Sequence, residues 1–299
     1  MGTQVKFFLE FTMVGLIDES FLAVKGKKET ETSLLILRQE NVAFDLLNRF
    51  KNTFQGITNE FKDIAKGIFS ATYNSKNRTA GTNKDQFAAF RKNSVGLNMV
   101  THSDMLLPCL DGFEKNWHGY IMDCERYRPA VTEALQALED FDALLTKFIS
   151  DKNAKLSLQD NKFVYTALTK KRESVEKVIS TYFKSSVNQR QRLSKLFDST
   201  TDMIESFEQS LASFKAVEGI SLEALNNRVN EVSKKMDLVC EMATNNRSME
   251  VSKQSLVNLA EGGYETAKQV EFLAKYIARL ETNMVVSGNM AQRLNEILG

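Results

Sequence analysis

Proline occurs only at Pro108 and Pro129 in this chain of 299 residues. Inside a helix a proline costs roughly 3 kcal/mol, through a lost backbone hydrogen bond and a ring clash. Residues 1–107 and 130–299 are free of that obstacle, and their apolar spacing predicts that they use the freedom. From about 33 to 72, Ala43, Leu47, Phe50, Phe54, Ile57, Phe61, Ile64 and Ile68 recur at alternating steps of four and three. Such spacing lines one face of a helix, in the manner of a coiled-coil seam. Phe44, Phe50, Phe54 and Phe61 make the seam thick, which suits a multi-helix bundle with a wide core better than a two-stranded rope.

Further helices are read the same way. Phe87, Phe90, Val95 and Met99 give a weaker pattern over 84–106, with Gly96 inside it. Val131, Leu135, Leu138, Phe141, Leu145 and Phe148 follow Pro129, which suits a first helical turn. Leu168, Val175, Ile179, Tyr182, Leu193, Leu196, Met203, Phe207 and Phe214 keep register over 160–217 and predict one long helix there. Leu222, Leu225, Val229, Val232, Met236, Val239 and Ala243 begin another helix, which either runs unbroken to Leu298 or stops at Gly262–Gly263. KGKKETETS (25–33), NSKNRTAGTNKD (74–85) and DKNAKLSLQD (151–160) read as connections. Residues 5–25 fit either a helix face or short strands.

The expected fold is all-α: an elongated multi-helix bundle with long heptad-patterned helices and a small β element near the N-terminus. Composition divides it into a Phe-rich bundle region over 1–150, carrying an exposed, mobile loop at 74–85, and a long helical hairpin over 151–299. Nine of the 20 phenylalanines precede residue 75, and only Phe272 follows residue 214. The last helix instead carries a seam of Leu256, Ala260, Gly263, Ala267, Val270, Ala274 and Ile277. Small residues let a neighbouring helix come close, whether from the same chain or from a second copy.

Charge narrows the partners. Lys+Arg is 39 and Asp+Glu is 38. A protein that coats nucleic acid draws its affinity from excess positive charge, and a membrane-lying helix needs a strongly basic face. Near-neutrality speaks against both. The apolar run Phe7–Ile17 is too short to cross a bilayer, and no small-residue cleavage site follows it. Lys6 stands where a myristoylation signal has Ser or Thr. A protein of the cytoplasm or of an assembled particle is expected, without a signal peptide or transmembrane helix. Three cysteines without repeated spacing fit a reducing compartment.

The rare residues gather in PCLDGFEKNWHGYIMDCERYRP, 108–129. The chain has no phosphate-binding glycine loop, no H-E-x-x-H, no C-x-x-C and no G-x-S-x-G. Its histidines, His102 and His118, lack the Glu three residues earlier that a di-metal bundle site uses. On one helix Cys124 lies about 240° around from His118, so the two diverge. Residues 151–160 begin like a calcium loop but lack its glycine. Phe113, Trp117, Tyr120, Cys124 and Tyr127 step by four and three and predict an aromatic packing stripe. Asp111, Glu114 and His118 form a polar flank, with Glu114 and His118 paired.

No catalytic residue, cofactor or metal is therefore expected. The chain reads as a non-enzymatic structural or assembly protein, such as a component of a virus or phage virion or of a secretion apparatus, contacting copies of itself or other subunits. A membrane-surface module and an enzyme or metal protein using residues near His118 are the alternatives. Candidate interaction surfaces are Asn77, Arg78 and Lys84 in the 74–85 segment, the basic run Lys170, Lys171 and Arg172, and the small-residue seam at Ala260, Gly263, Ala267 and Ala274.

Overall fold

The thick seam of residues 33–72 becomes the buried face of helix α1, Ala43–Ser75, in a computed structural model. The structure describes residues 33–35, 37, 43–75, 80–109, 117–125, 128–151, 189–218, 222–245 and 253–298. It is mostly helical with a small two-stranded sheet. Phe50, Phe54, Ile57, Phe61, Ile64 and Ile68 are all buried, and Phe50 stacks on Phe54 with ring centroids 5.1 Å apart. Each such side chain contributes roughly 1.5–3 kcal/mol by leaving water.

Three partners enclose that face. They are α4 (Pro129–Ser150), α7 (Leu222–Asn245) and α8 (Lys253–Leu298). Helices α1 and α4 each pack against both α7 and α8, so the four close a ring. Phe61 of α1 and Phe141 of α4 stack across its interior at 6.0 Å. Leu225, Val229, Val232, Met236, Val239 and Ala243 line the inner face of α7. Ion pairs tie the outside: Lys62 reaches Asp237 at 2.8 Å, and Lys235 reaches Asp142 at 2.7 Å. Arg228 forks onto Glu139. The Glu139 carboxylate, aided by Glu231 and Asp142, holds that guanidinium above its ordinary pKa.

Helix α8 spans 46 residues, about 69 Å at 1.5 Å per residue. Beyond the four-helix ring it packs against α2 (Ala80–Asn93), α6 (Thr200–Glu218) and strand β1 (Leu106–Cys109). A short helix, α3 (Trp117–Glu125), lies on α6. Helices from both halves of the chain thus share one core, and residue 150 marks a change of composition rather than a division between cores.

Several expectations change. Gly262 and Gly263 lie inside α8, so the helix does not break there; α7 ends at Asn245 and α8 begins at Lys253. A Cβ on Gly263 would lie 3.0 Å from Phe141 Cζ and 3.3 Å from Ile57 Cγ2. The glycine is there to admit those two side chains. Residues 160–217 do not form one helix. Strand β2 (Gln189–Arg192) pairs antiparallel with β1, Leu106 opposite Arg192 and Cys109 opposite Gln189. The single turn α5 (Leu193–Leu196) follows, and α6 starts afresh at Thr200. The polar run QRQR puts only the polar Gln189 on the seam, and Ser199 restarts the helix by accepting the Asp202 N–H at 3.1 Å.

The pattern over 84–106 also ends early. Ser94–Gly96 form one 3-10 turn, and Asn98 Oδ1 then accepts from the N–H groups of Val100 and Thr101, bending the chain as asparagine does in turns. Conversely, residues 80–85, read as loop, are the start of α2. Phe87 and Phe90 dock on Phe207 at 5.4 and 5.2 Å, so tertiary packing overrides a loop-like composition. Pro108 sits in β1, where a two-stranded ribbon has an open edge that tolerates its missing N–H. The N-terminal segment 5–25, with its expected β element, and residues 152–160 of the connection lie outside the described residues.

Candidate functional site

The predicted aromatic stripe is a short helix with two different faces. Trp117, Tyr120, Ile121 and Cys124 of α3 are buried and turn toward α8; Phe113, Tyr127 and the polar-flank residues Asp111 and Glu114 lie outside the described residues. Trp117 Nε1 donates to Ser287 Oγ at 3.1 Å. Tyr120 donates its hydroxyl proton to Asn283 Oδ1 at 2.9 Å, and Tyr276 donates to the Cys124 carbonyl at 2.5 Å. As residue numbers rise on α3 they fall on α8, so the two helices run antiparallel.

The other face of α3 meets α6. His118 Nδ1 lies 3.0 Å from Ser206 Oγ, and Ser213 Oγ donates to Glu125 Oε2 at 2.5 Å. Both pairs are 88 residues apart in sequence, so α3 and α6 run parallel and in register. Ser206, Ser210 and Ser213 form a buried serine stripe. Its steps of four and three are present in the sequence, but on polar residues, where such spacing does not by itself mark a buried face. Ser210 donates to the Ser206 carbonyl at 2.8 Å, which leaves Ser287, 3.0 Å away, to donate to Ser210. A directed relay therefore runs from the Trp117 indole through Ser287 and Ser210 to the α6 backbone.

The relay stops beside a cluster at the start of α6. Asp202 Oδ2 accepts from the N–H groups of Asp198 and Ser199 at 3.2 and 3.1 Å, while Ser199 Oγ accepts from Asp202 N–H. This reciprocal capping box satisfies helix-end donors and fixes the Asp202 carboxylate. Glu205, one turn on, places Oε2 3.8 Å from His118 Nε2. His118, Asp202 and Glu205 each bring one ligand atom within 4.8 Å of the others. The Ser199-x-x-Asp202 signature was the sequence signal for the start of α6, but only the fold brings His118 to it.

A Cys124–His118 dyad is not built. Cys124 Sγ faces α8, where it accepts from Asn283 Nδ2 at 3.7 Å, whereas His118 faces α6. Burial pushes the Cys124 thiol up to about 11 and raises Tyr120 and Tyr276 well above the usual phenol range. These groups stay protonated at neutral pH, the two tyrosines as hydrogen-bond donors and the Cys124 thiol as a buried acceptor.

Of the predicted interaction residues, Lys84 is exposed on α2. Ala260, Gly263, Ala267 and Ala274 are buried. At Gly263 the seam is filled by Phe141 and Ile57 of this same chain, which is the same-chain alternative and makes the seam part of the core. Asn77, Arg78, Lys170, Lys171 and Arg172 lie outside the described residues. The connection between α2 and β1 has no apolar period of its own that marks it in the sequence. Val95 and Val100 are 92% and 84% exposed there, and Leu106 at the start of β1 is 49% exposed. Leu106 stands opposite Arg192, which with Arg190 presents positive charge at the surface. Among the described residues no helix is long and apolar enough to cross a membrane. In comparisons with known proteins, no family model, no curated protein and no solved structure matches the chain.

Proposed function

We propose that this chain is a non-enzymatic structural or assembly protein, an elongated helical member of a larger particle. The observation that carries the reading is the apolar connection at Val95, Val100 and Leu106. A helical body with its long seams closed internally has little reason to hold two valines almost fully in water, where they are available to a neighbouring surface. The relay from Trp117 to α6 supports the same reading, since its donors and acceptors are consumed in holding helices together. Copies of the chain or other subunits would take up the exposed connection.

Light scattering and small-angle scattering of the purified chain test this. Self-association or an extended particle is expected, with association weakened in a Val95→Asp/Val100→Asp variant. A compact monomer at high concentration that recovers no partner from its native source would sink the reading. The exposed Arg190 and Arg192, which stands opposite Leu106 and also pairs with Asp104 at 3.2 Å, suggest a second reading, docking on an anionic membrane surface. Sedimentation with anionic vesicles at low salt separates the two, because a subunit contact leaves the protein in the supernatant.

A further inference from the structure

We propose that His118, Asp202 and Glu205 form a binding site for a divalent first-row transition ion such as Zn2+, tying α3 to the start of α6. Ser206 Oγ lies 2.5 Å from the Asp202 carbonyl oxygen, an acceptor only, so the serine hydrogen is spent there. Ser206 Oγ must then accept from His118, whose Nδ1 at 3.0 Å carries the hydrogen. In the neutral imidazole this fixes the tautomer. The lone pair resides on Nε2, which points at the Glu205 carboxylate 3.8 Å away.

Two acceptors facing one another across that gap want a cation between them. A metal-bound histidine characteristically donates its second ring N–H to a fixed acceptor, which orients the ring, and Ser206 supplies that acceptor. Asp202 Oδ2 is held by the cap, leaving Oδ1 for the ion, so this ligand is positioned by the fold itself. Glu205 is the adjustable member. An ion with bonds of about 2.0–2.2 Å sets tetrahedral ligand atoms about 3.3–3.6 Å apart, so the Glu205 carboxylate, 3.8 Å from His118 Nε2, needs only a small shift toward the ring. It is free to do so, with its side chain 55% exposed, while that of His118 is 22% exposed. The site therefore has an entry path from solvent and room for water to complete the coordination. Imidazole with carboxylates selects Zn2+ or a neighbouring transition ion over Mg2+, which prefers an all-oxygen shell.

The test uses the full chain, stripped with a chelator and dialysed. Zn2+ binding is followed by calorimetry and Co2+ binding by visible absorption, with Mg2+ as the control. A single equivalent of Zn2+ is expected, with a raised melting temperature and a Co2+ spectrum showing nitrogen and oxygen ligation. His118→Ala and Glu205→Gln should each weaken binding about tenfold or more and abolish the thermal shift. Glu205 is largely exposed, so Glu205→Gln provides a folded variant even if His118→Ala perturbs the Ser206 contact. Two results overturn the proposal. One is no Zn2+ uptake by the wild type, which leaves His118 and Glu205 as a plain ion pair. The other is uptake unchanged in the variants, which places the metal on other ligands such as the cysteines.

Discussion

Helix α8 serves two regions by opposite means. Toward its N-terminal end it lies in the ring with α1, α4 and α7, where Gly263 makes room for Phe141 and Ile57 and the centre is apolar. Toward its C-terminal end it meets α3 and α6, where Asn283 and Ser287 hydrogen-bond to Tyr120, Trp117 and Ser210. The first contact is held by area removed from water and is tolerant of direction. The second is held by donor–acceptor pairs, each costly to break, because a buried polar group left alone loses its water without replacement.

The sharpest way to break this contrast is to empty the apolar ring. Phe141→Ala removes the stack on Phe61 and should cost about 3–5 kcal/mol in a urea titration. Overfilling is the next test. Gly263→Leu forces a side chain against Phe141 and Ile57 and should cost about 1–3 kcal/mol, whereas a loss near zero would mean the helices separate freely there. In the polar region, Ser287→Ala strands the Trp117 indole N–H and should also cost about 1–3 kcal/mol. It should leave the ring untouched, because Ser287 lies about 36 Å along α8 from Gly263. The double variant Phe141→Ala/Ser287→Ala therefore tests the division itself. Additivity within about 0.5 kcal/mol is expected for independent sites, and a larger coupling would show that α8 transmits strain between them.

Alkaline titration gives a milder effect. Burial raises the Cys124 and Cys240 thiols to about 11, against about 8.5 in an unfolded chain. Above that lower value the unfolded state sheds its thiol protons first. The stabilisation is therefore full below about pH 8.5 and declines as pH rises toward about 11. Urea midpoints at pH 7, 9 and 10 should fall in that order, and Cys240→Ala should flatten the slope. The smallest effect belongs to the surface. Lys62→Ala breaks a half-exposed pair with Asp237 and should cost about 0.2–1 kcal/mol, less again in high salt.

The two regions also differ in how well they can be read from residues. Phe50, Phe54, Ile57 and Phe61, or Val229, Val232 and Met236, announce a buried face because apolar side chains at steps of three and four have one stable use. The serine stripe of α6 has the same steps, but serine on a helix is equally at home in water. Ser206, Ser210 and Ser213 became buried only because α3 and α8 brought acceptors and donors to them. Misreadings followed the same rule. Leu193 and Leu196 fit a seam, yet they belong to a single turn after a strand, and residues 80–85 look like loop but form helix because Phe87 and Phe90 anchor it.

What the residues determine alone is which faces leave water: the scarcity of proline permits long helices, and periodicity selects their apolar sides. Periodicity carries no information about what covers a face. The tertiary structure decided that the small-residue seam receives Phe141 of its own chain, that α7 and α8 are separate helices of one ring, and that the valines of the α2–β1 connection stay outside. It also joined His118 to Asp202 and Glu205, which lie more than eighty positions away in the chain. Such a meeting depends on the parallel register of two helices, a property set by packing and hydrogen bonds between distant segments and written in no local pattern.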